Sequence, residues 1–187
     1  MSGGVGADDW VGDVLAFWFG ELDRKAWFVR DAAVDEQIRA RFGPLIEQLA
    51  ARPVDEALTS PDRALATVIA LDQFPRNVFR GTARAFATDA LALAVAKAAI
   101  DRGLDSQVPA ARRVFFYLPL EHSEALADQD RCVELTAALG DAEYARYAVL
   151  HRDVIARFGR FPHRNDILGR TPTLEELAFL REPGSSF

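Results

Sequence analysis

Apolar positions recur at helical spacing along almost the whole chain. Val11, Val14, Leu15 and Trp18 form one stripe, and its period predicts a first helix ending near Gly20. Trp27 and Phe28 then fall in a short connector. Asp31 stands where an N-cap is needed for a second helix, whose inner face carries Val34, Ile38, Phe42, Leu45, Ile46 and Leu49. Gly43-Pro44 interrupts that stripe and predicts a kink, because proline lacks an N–H and its ring crowds the preceding turn.

Ser60-Pro61 is a start signal, with serine as cap and proline at the first helical position. The residues from Ala64 to Leu71 are apolar on nearly every side, as suits a helix in the middle of a bundle. Its expected stop is Asp72-Gln73-Phe74, since Pro75 disfavours helical geometry at Phe74. Residues 88–101 are rich in alanine and permit close helix contact. A short aromatic helix follows from Arg112 to Leu118, with Pro119 as its stop. Ser123 is the expected cap of the next helix, which carries Leu126, Val133 and Leu139 to Gly140. From Glu143 a stripe of Tyr144, Tyr147, Ala148, His151, Ile155 and Phe158 marks another helix. Thr173-Leu174-Glu175-Glu176 has the pattern of a capping box. Residues 182–187 read as a loose tail. No alternating run suggests a strand. The expected architecture is all-α: antiparallel helix pairs joined by short turns, in a single domain over 1–187 with its core at about 8–181.

Composition narrows the function classes. The chain of 187 residues has a formal net charge of -6, which argues against a dedicated nucleic-acid binder. The single cysteine, Cys132, excludes an internal disulfide and a thiolate zinc site, and fits a reducing compartment. No segment approaches the roughly 20 apolar residues of a membrane span. Met1-Ser2-Gly3-Gly4 lacks the charged and apolar regions of a signal peptide. The expected setting is the cytoplasm, with neither nucleic acid nor membrane as partner; the pattern is silent on oligomeric state. Charge is uneven: residues 1–60 hold six Lys/Arg against eleven Asp/Glu, whereas residues 151–170 hold five Arg against two Asp.

Chemistry concentrates at three places. Phe74-Pro75-Arg76-Asn77, with Arg80-Gly81, is nearly repeated by Phe161-Pro162-His163-Arg164-Asn165, with Gly169-Arg170. Each copy follows a helical segment, so each is expected at a helix exit, where asparagine serves freed backbone groups. Arg76, Arg80, Arg160, Arg164 and Arg170 either tie helix ends to Asp72, Glu121 or Glu124, or line a pocket for a carboxylate or phosphate. The third place is Glu121-His122-Ser123-Glu124, where a histidine beside carboxylates suits acid–base work near neutral pH. His163, flanked by Pro162 and Arg164, is a second acid–base candidate, with Glu121 and Glu124 as accompanying carboxylates. The His122 spacing differs from that of zinc-hydrolase helices, and the expectation is no metal and no cofactor. His151 lies on an apolar stripe and reads as a core histidine, and Cys132 as a small packing residue.

The same segments carry a family resemblance. Phe17-Trp18-Phe19-Gly20, Leu71-Asp72-Gln73-Phe74-Pro75-Arg76-Asn77, Pro119-Leu120-Glu121-His122-Ser123-Glu124 and Phe158-Gly159-Arg160-Phe161-Pro162-His163-Arg164-Asn165, with Leu168-Gly169-Arg170, resemble the bacterial family called domain of unknown function 924. The likeness spans about residues 10–181. Ala125 stands where that family's pattern often has an acidic residue. The resemblance implies an all-helical, tetratricopeptide-like arrangement, a right-handed superhelical stack of helix pairs with a concave surface. It assigns no activity.

Three readings fit these residues. In the first, Asp72, Arg76, Asn77, Arg80, Glu121, His122, Glu124, Arg160, His163, Arg164 and Arg170 line or brace a pocket for a small anionic ligand or peptide carboxylate. In the second, the chain is a hydrolase or transferase for an anionic metabolite, with His122 or His163 as acid–base group. In the third, the motifs are structural and the surface serves protein partners.

Overall fold

The computed structural model describes residues 9–185, and every regular element among them is helical. Helix α1 (Asp9–Ala16) runs directly into a π-helical turn, Phe17–Glu21. Helix α2 (Ala32–Ala50) begins at the Asp31 cap, whose carboxylate accepts from the N–H groups of Ala33 and Val34. It continues through Gly43-Pro44 without a break in its helical span. After the short α3 (Val54–Ala57), Ser60 caps α4 (Pro61–Val68) by accepting from the Arg63 N–H.

The central helix does not stop at Phe74. A π-helical turn, Ile69–Gln73, leads straight into α5 (Phe74–Val78), and Phe74 keeps helical angles of φ -59° and ψ -40°. The wider π turn, closed by Phe74 N–H to the Ile69 carbonyl, admits Pro75 within the continuing spiral. Two of its carbonyls find side-chain partners. The Leu71 carbonyl, four residues before a proline with no N–H to offer, accepts from Thr88 Oγ1 at 2.5 Å. The Asp72 carbonyl accepts from Arg76 Nη1 at 2.6 Å. Thr88 sits at the N-cap position of α6 (Asp89–Asp101) yet does not cap it; it pins that helix start to the π turn.

The remaining helices are α7 (Ala110–Arg113), α8 (Leu118–Glu121), α9 (Leu126–Ala138), α10 (Ala142–Phe158) and α11 (Leu174–Phe179). Pro119 lies in the first turn of α8 rather than ending the aromatic segment, because a proline is tolerated there. The N-cap position of α9 is Ala125, not Ser123; Ser123 Oγ accepts the Ala125 N–H and donates to Asp128. Thr173 and Glu176 form the capping box of α11. Of the C-terminal stretch, residues 182–185 make turns, Ser185 is buried, and 186–187 lie outside the described residues, as does the start of the chain at 1–8.

The core forms around α4 and its π extension. Ala64, Leu65, Ile69, Ala70 and Leu71 are wholly buried there. Ala92, Ala96 and Ala99 give α6 a small-residue face against α4. Phe17, Phe42 and Phe74 pack in sequence with centroids 5.4 and 4.9 Å apart, and Trp18 bridges Phe74 to Phe115. Both π turns feed this aromatic centre. A smaller cluster of Val154, Ile155 and Phe161 seats the second Phe-Pro segment.

Thr88→Val should therefore lower stability by about 1–2 kcal/mol, the range for stranding a buried carbonyl. Urea unfolding of parent and variant measures it. An unchanged midpoint would mean that the Leu71 carbonyl has another partner.

Candidate functional site

The π turn aims Asp72 inward. Its side chain is 1% exposed and receives three groups: His122 Nδ1 at 2.8 Å, Gln73 Nε2 at 2.6 Å and Arg76 Nη1 at 3.4 Å. Burial alone would raise this carboxyl, but His122 and Arg76 hold it well below the usual carboxylate range. An ionised carboxylate only accepts, so Nδ1 of His122 carries the proton and Nε2 presents a lone pair. Among the described residues Nε2 has no hydrogen-bond partner, and the side chain is 16% exposed. Burial, then the nearby Arg76 charge, lowers the imidazole's proton affinity against the pull of Asp72, so it is neutral at pH 7.

Arg76 reaches sideways from α5 and grips Asp89 with two hydrogen bonds of 2.8 and 2.9 Å. Asp89 is the first residue of α6, placed there by the Thr88 anchor. Beyond Asp89 stands Arg164, from the second Phe-Pro segment. Its guanidinium lies between the rings of Phe86 and Phe161, at 4.7 and 4.5 Å from their centroids. Its side chain is 8% exposed, and the nearest carboxylate oxygen, Asp89 Oδ2, is 3.7 Å from Nη1. Nε is buried without a partner, and the guanidinium makes no hydrogen bond among the described residues. Burial and the Arg76 charge lower its pKa to about 10.

Behind His122 lies a layer of neutral titratable groups. Glu121 is buried, and desolvation followed by the Asp72 charge pushes its carboxyl up to about 8. His151 donates Nδ1–H to the Tyr147 carbonyl at 2.8 Å, with Glu121 Oε1 at 3.5 Å, and burial lowers it to about 3. His163 is lowered to about 4 by burial and by Arg164.

The other sequence candidates are fasteners. Glu124 accepts from the Phe161 N–H at 2.8 Å and from both terminal nitrogens of Arg170, while Arg170 also binds Asn165 Oδ1 and the Phe161 carbonyl. Asn77 and Arg80 leave the site altogether and bind Asp35 on α2. Arg160 makes a paired contact with Glu176 on α11. The two Phe-Pro copies also differ in backbone. The first is helical throughout; the second follows the left-handed stop at Gly159, φ 68°, and forms a 3-10 turn, Pro162–Arg164. Asp89 and Phe86 were not singled out by sequence. Asp89 opens α6, where an acidic residue is ordinary, and only its cross-helix contact distinguishes it.

No group of three metal-ligating side chains occurs among the described residues. A surface groove of about 390 Å³ lies elsewhere, lined by Arg24, Trp27, Ala110, Ala111, Leu139, Asp141 and Tyr144.

Comparison with known proteins agrees with the motif resemblance. The family profile described as bacterial protein of unknown function (DUF924) matches residues 14–184. A solved structure of a protein of unknown function from Agrobacterium tumefaciens is 43% identical, covers 94% of this chain and 99% of its own, and superposes with a TM-score of 0.89. No curated protein matches. No helix among the described residues is long and apolar enough to cross a membrane.

The Glu121 carboxyl gives a pH test. A group whose folded pKa is raised contributes stability that is complete below its unfolded value and lost as pH rises through the folded one. For Glu121 that window runs from about 4.5 to about 8. Glu121→Gln cannot titrate, so its melting temperature minus that of the parent should climb between pH 5 and 8. A flat difference would show that the side chain is not held protonated.

Proposed function

For this chain, which belongs to the DUF924 family of bacterial proteins, we propose a role in binding a small molecule through an anionic group, carboxylate or phosphate, at Arg164. One observation carries the reading: a guanidinium held between two aromatic rings that makes no hydrogen bond among the described residues and has Asp89, 3.7 Å away, as its nearest carboxylate. Burying an unpaired charge costs several kcal/mol unless something compensates it. Every other motif arginine here has its carboxylate or carbonyl partner. Arg164 has only a share of Asp89, which Arg76 already holds with two bonds. An incoming anion would supply the missing acceptor, and the planar fork suits a bidentate contact. Asp89 also limits the site to a ligand small enough to approach past it. A cytoplasmic setting fits this role and the single buried thiol, Cys132.

Arg164→Met tests the proposal, because methionine fills the space between the rings without the charge. The variant should stay within about 1 kcal/mol of the parent, as expected when a poorly compensated buried ion is replaced by an apolar group. Arg170→Ala, which breaks a satisfied fastener, should lose about 2–3 kcal/mol. In thermal melts at matched ionic strength, succinate or inorganic phosphate should raise the melting temperature of the parent and of Arg170→Ala relative to chloride. Arg164→Met should not respond. A parent indifferent to both anions, with Arg164→Met as damaged as Arg170→Ala, would leave Arg164 a structural residue.

A further inference from the structure

We infer that His122 is a general base, oriented by Asp72, and that the site hydrolyses an ester of a small dicarboxylate whose free carboxylate rests on Arg164. The inference deepens the anion reading and rests on it. Three features of the geometry carry it. First, the Asp72 carboxylate is 1% exposed and takes the His122 Nδ1–H at 2.8 Å, which fixes the tautomer and leaves the lone pair on Nε2. Gln73 holds the other Asp72 oxygen at 2.6 Å, so the carboxylate cannot swing away from the ring. Second, Nε2 has no protein partner among the described residues, although Nδ1 is fully served. Third, contacts connect the dyad to Arg164: Asp72 to Arg76 at 3.4 Å, Arg76 to Asp89 at 2.8 Å, and Asp89 to Arg164 at 3.7 Å. Base and anion anchor are thus joined by a continuous line of contacts that runs from the segment after α8 through the π turn, α5 and α6 to the 3-10 turn.

The surroundings keep His122 a base. Arg76 acts on the ring as a fixed cation held on Asp72, with Asp72 and Asp89 as the neighbouring anions. Glu121 from α8 and His151 from α10 lie behind as neutral groups, and His163 is neutral beside Arg164. Burial lowers the proton affinity of His122, so the lone pair is available at neutral pH.

The step balances with water alone. Nε2 takes one proton from a water molecule, and the O–H electron pair remains on that oxygen. The oxygen bonds to the ester carbonyl carbon, whose π pair moves onto the carbonyl oxygen. The tetrahedral adduct collapses, the bond to the leaving alkoxide breaks, and Nε2–H returns its proton to that alkoxide. The products are the dicarboxylic acid and the alcohol. While the imidazole carries two protons, Asp72 balances its charge. His122 is the catalytic residue, and Asp72 is a positioning residue.

The test uses mono(4-nitrophenyl) succinate, with 4-nitrophenyl acetate as the ester lacking an anion. The parent should release nitrophenol from the succinate ester in preference to the acetate ester. His122→Ala should lose about 10²–10⁴-fold of that rate, the range for a positioned base. Added imidazole should restore part of it, which a purely structural histidine would not allow. If His122→Ala does not fold, His122→Gln replaces it; this variant fills the same space and must show the same loss. Arg164→Met should abolish the preference for the charged ester. The base role is overturned if the parent does not exceed the buffer rate, if hydrolysis survives loss of His122, or if imidazole restores nothing. Failure of the two readings is separable: succinate that raises the melting temperature while its ester is not hydrolysed removes the base and leaves the anion site.

Discussion

A buried carboxylate organises this molecule. Asp72 is placed in the core by a π turn within the central helix, and no apolar environment accepts a bare charge. Its partners are therefore obligatory. His122 comes from the segment after α8, Gln73 from the same turn and Arg76 from the next. Each partner then constrains another element: Arg76 fixes Asp89 at the start of α6, and His122 fixes the end of α8. The fold and the candidate site share this interaction.

Proline and the π turn are linked in the same way. Pro75 leaves the Leu71 carbonyl unserved, and the widened turn changes the phase of the helix. The structure answers with Thr88 and Arg76, two side chains that would otherwise cap or solvate their own surroundings. That answer carries α6 onto the central helix and brings Asp89 beside the second Phe-Pro segment. A local defect in hydrogen bonding thus becomes a long-range placement of charge.

The arginines divide by how well they are matched. Arg80, Arg160 and Arg170 are saturated by Asp35, Glu176 and Glu124, and hold elements together. Arg76 is matched twice. Arg164 alone among the motif arginines is enclosed by rings and short of acceptors. Linked through Asp89, Arg76 and Asp72 to a histidine with an open nitrogen, it stands apart from the set of fasteners.

The sequence by itself determined the helical class, the caps at Asp31, Ser60 and Thr173, the buried faces, the family and the three segments where chemistry gathers. Those features arise from contacts within a few residues, so spacing and residue type reveal them. The expected stop at Phe74 differs from the structure because Thr88 and Arg76 serve the carbonyls of the π turn, and the one at Pro119 because that proline falls in a helix's first turn, where no N–H is needed. Tertiary structure alone decided which arginines are fastened and which is not. It also turned two similar Phe-Pro strings into different backbones and joined Asp72 to His122 across 50 positions and Glu124 to Arg170 across 46. The physical reason is that an arginine's role depends on the nearest acceptor in space and on its exclusion from water, and neither is encoded by its neighbours along the chain.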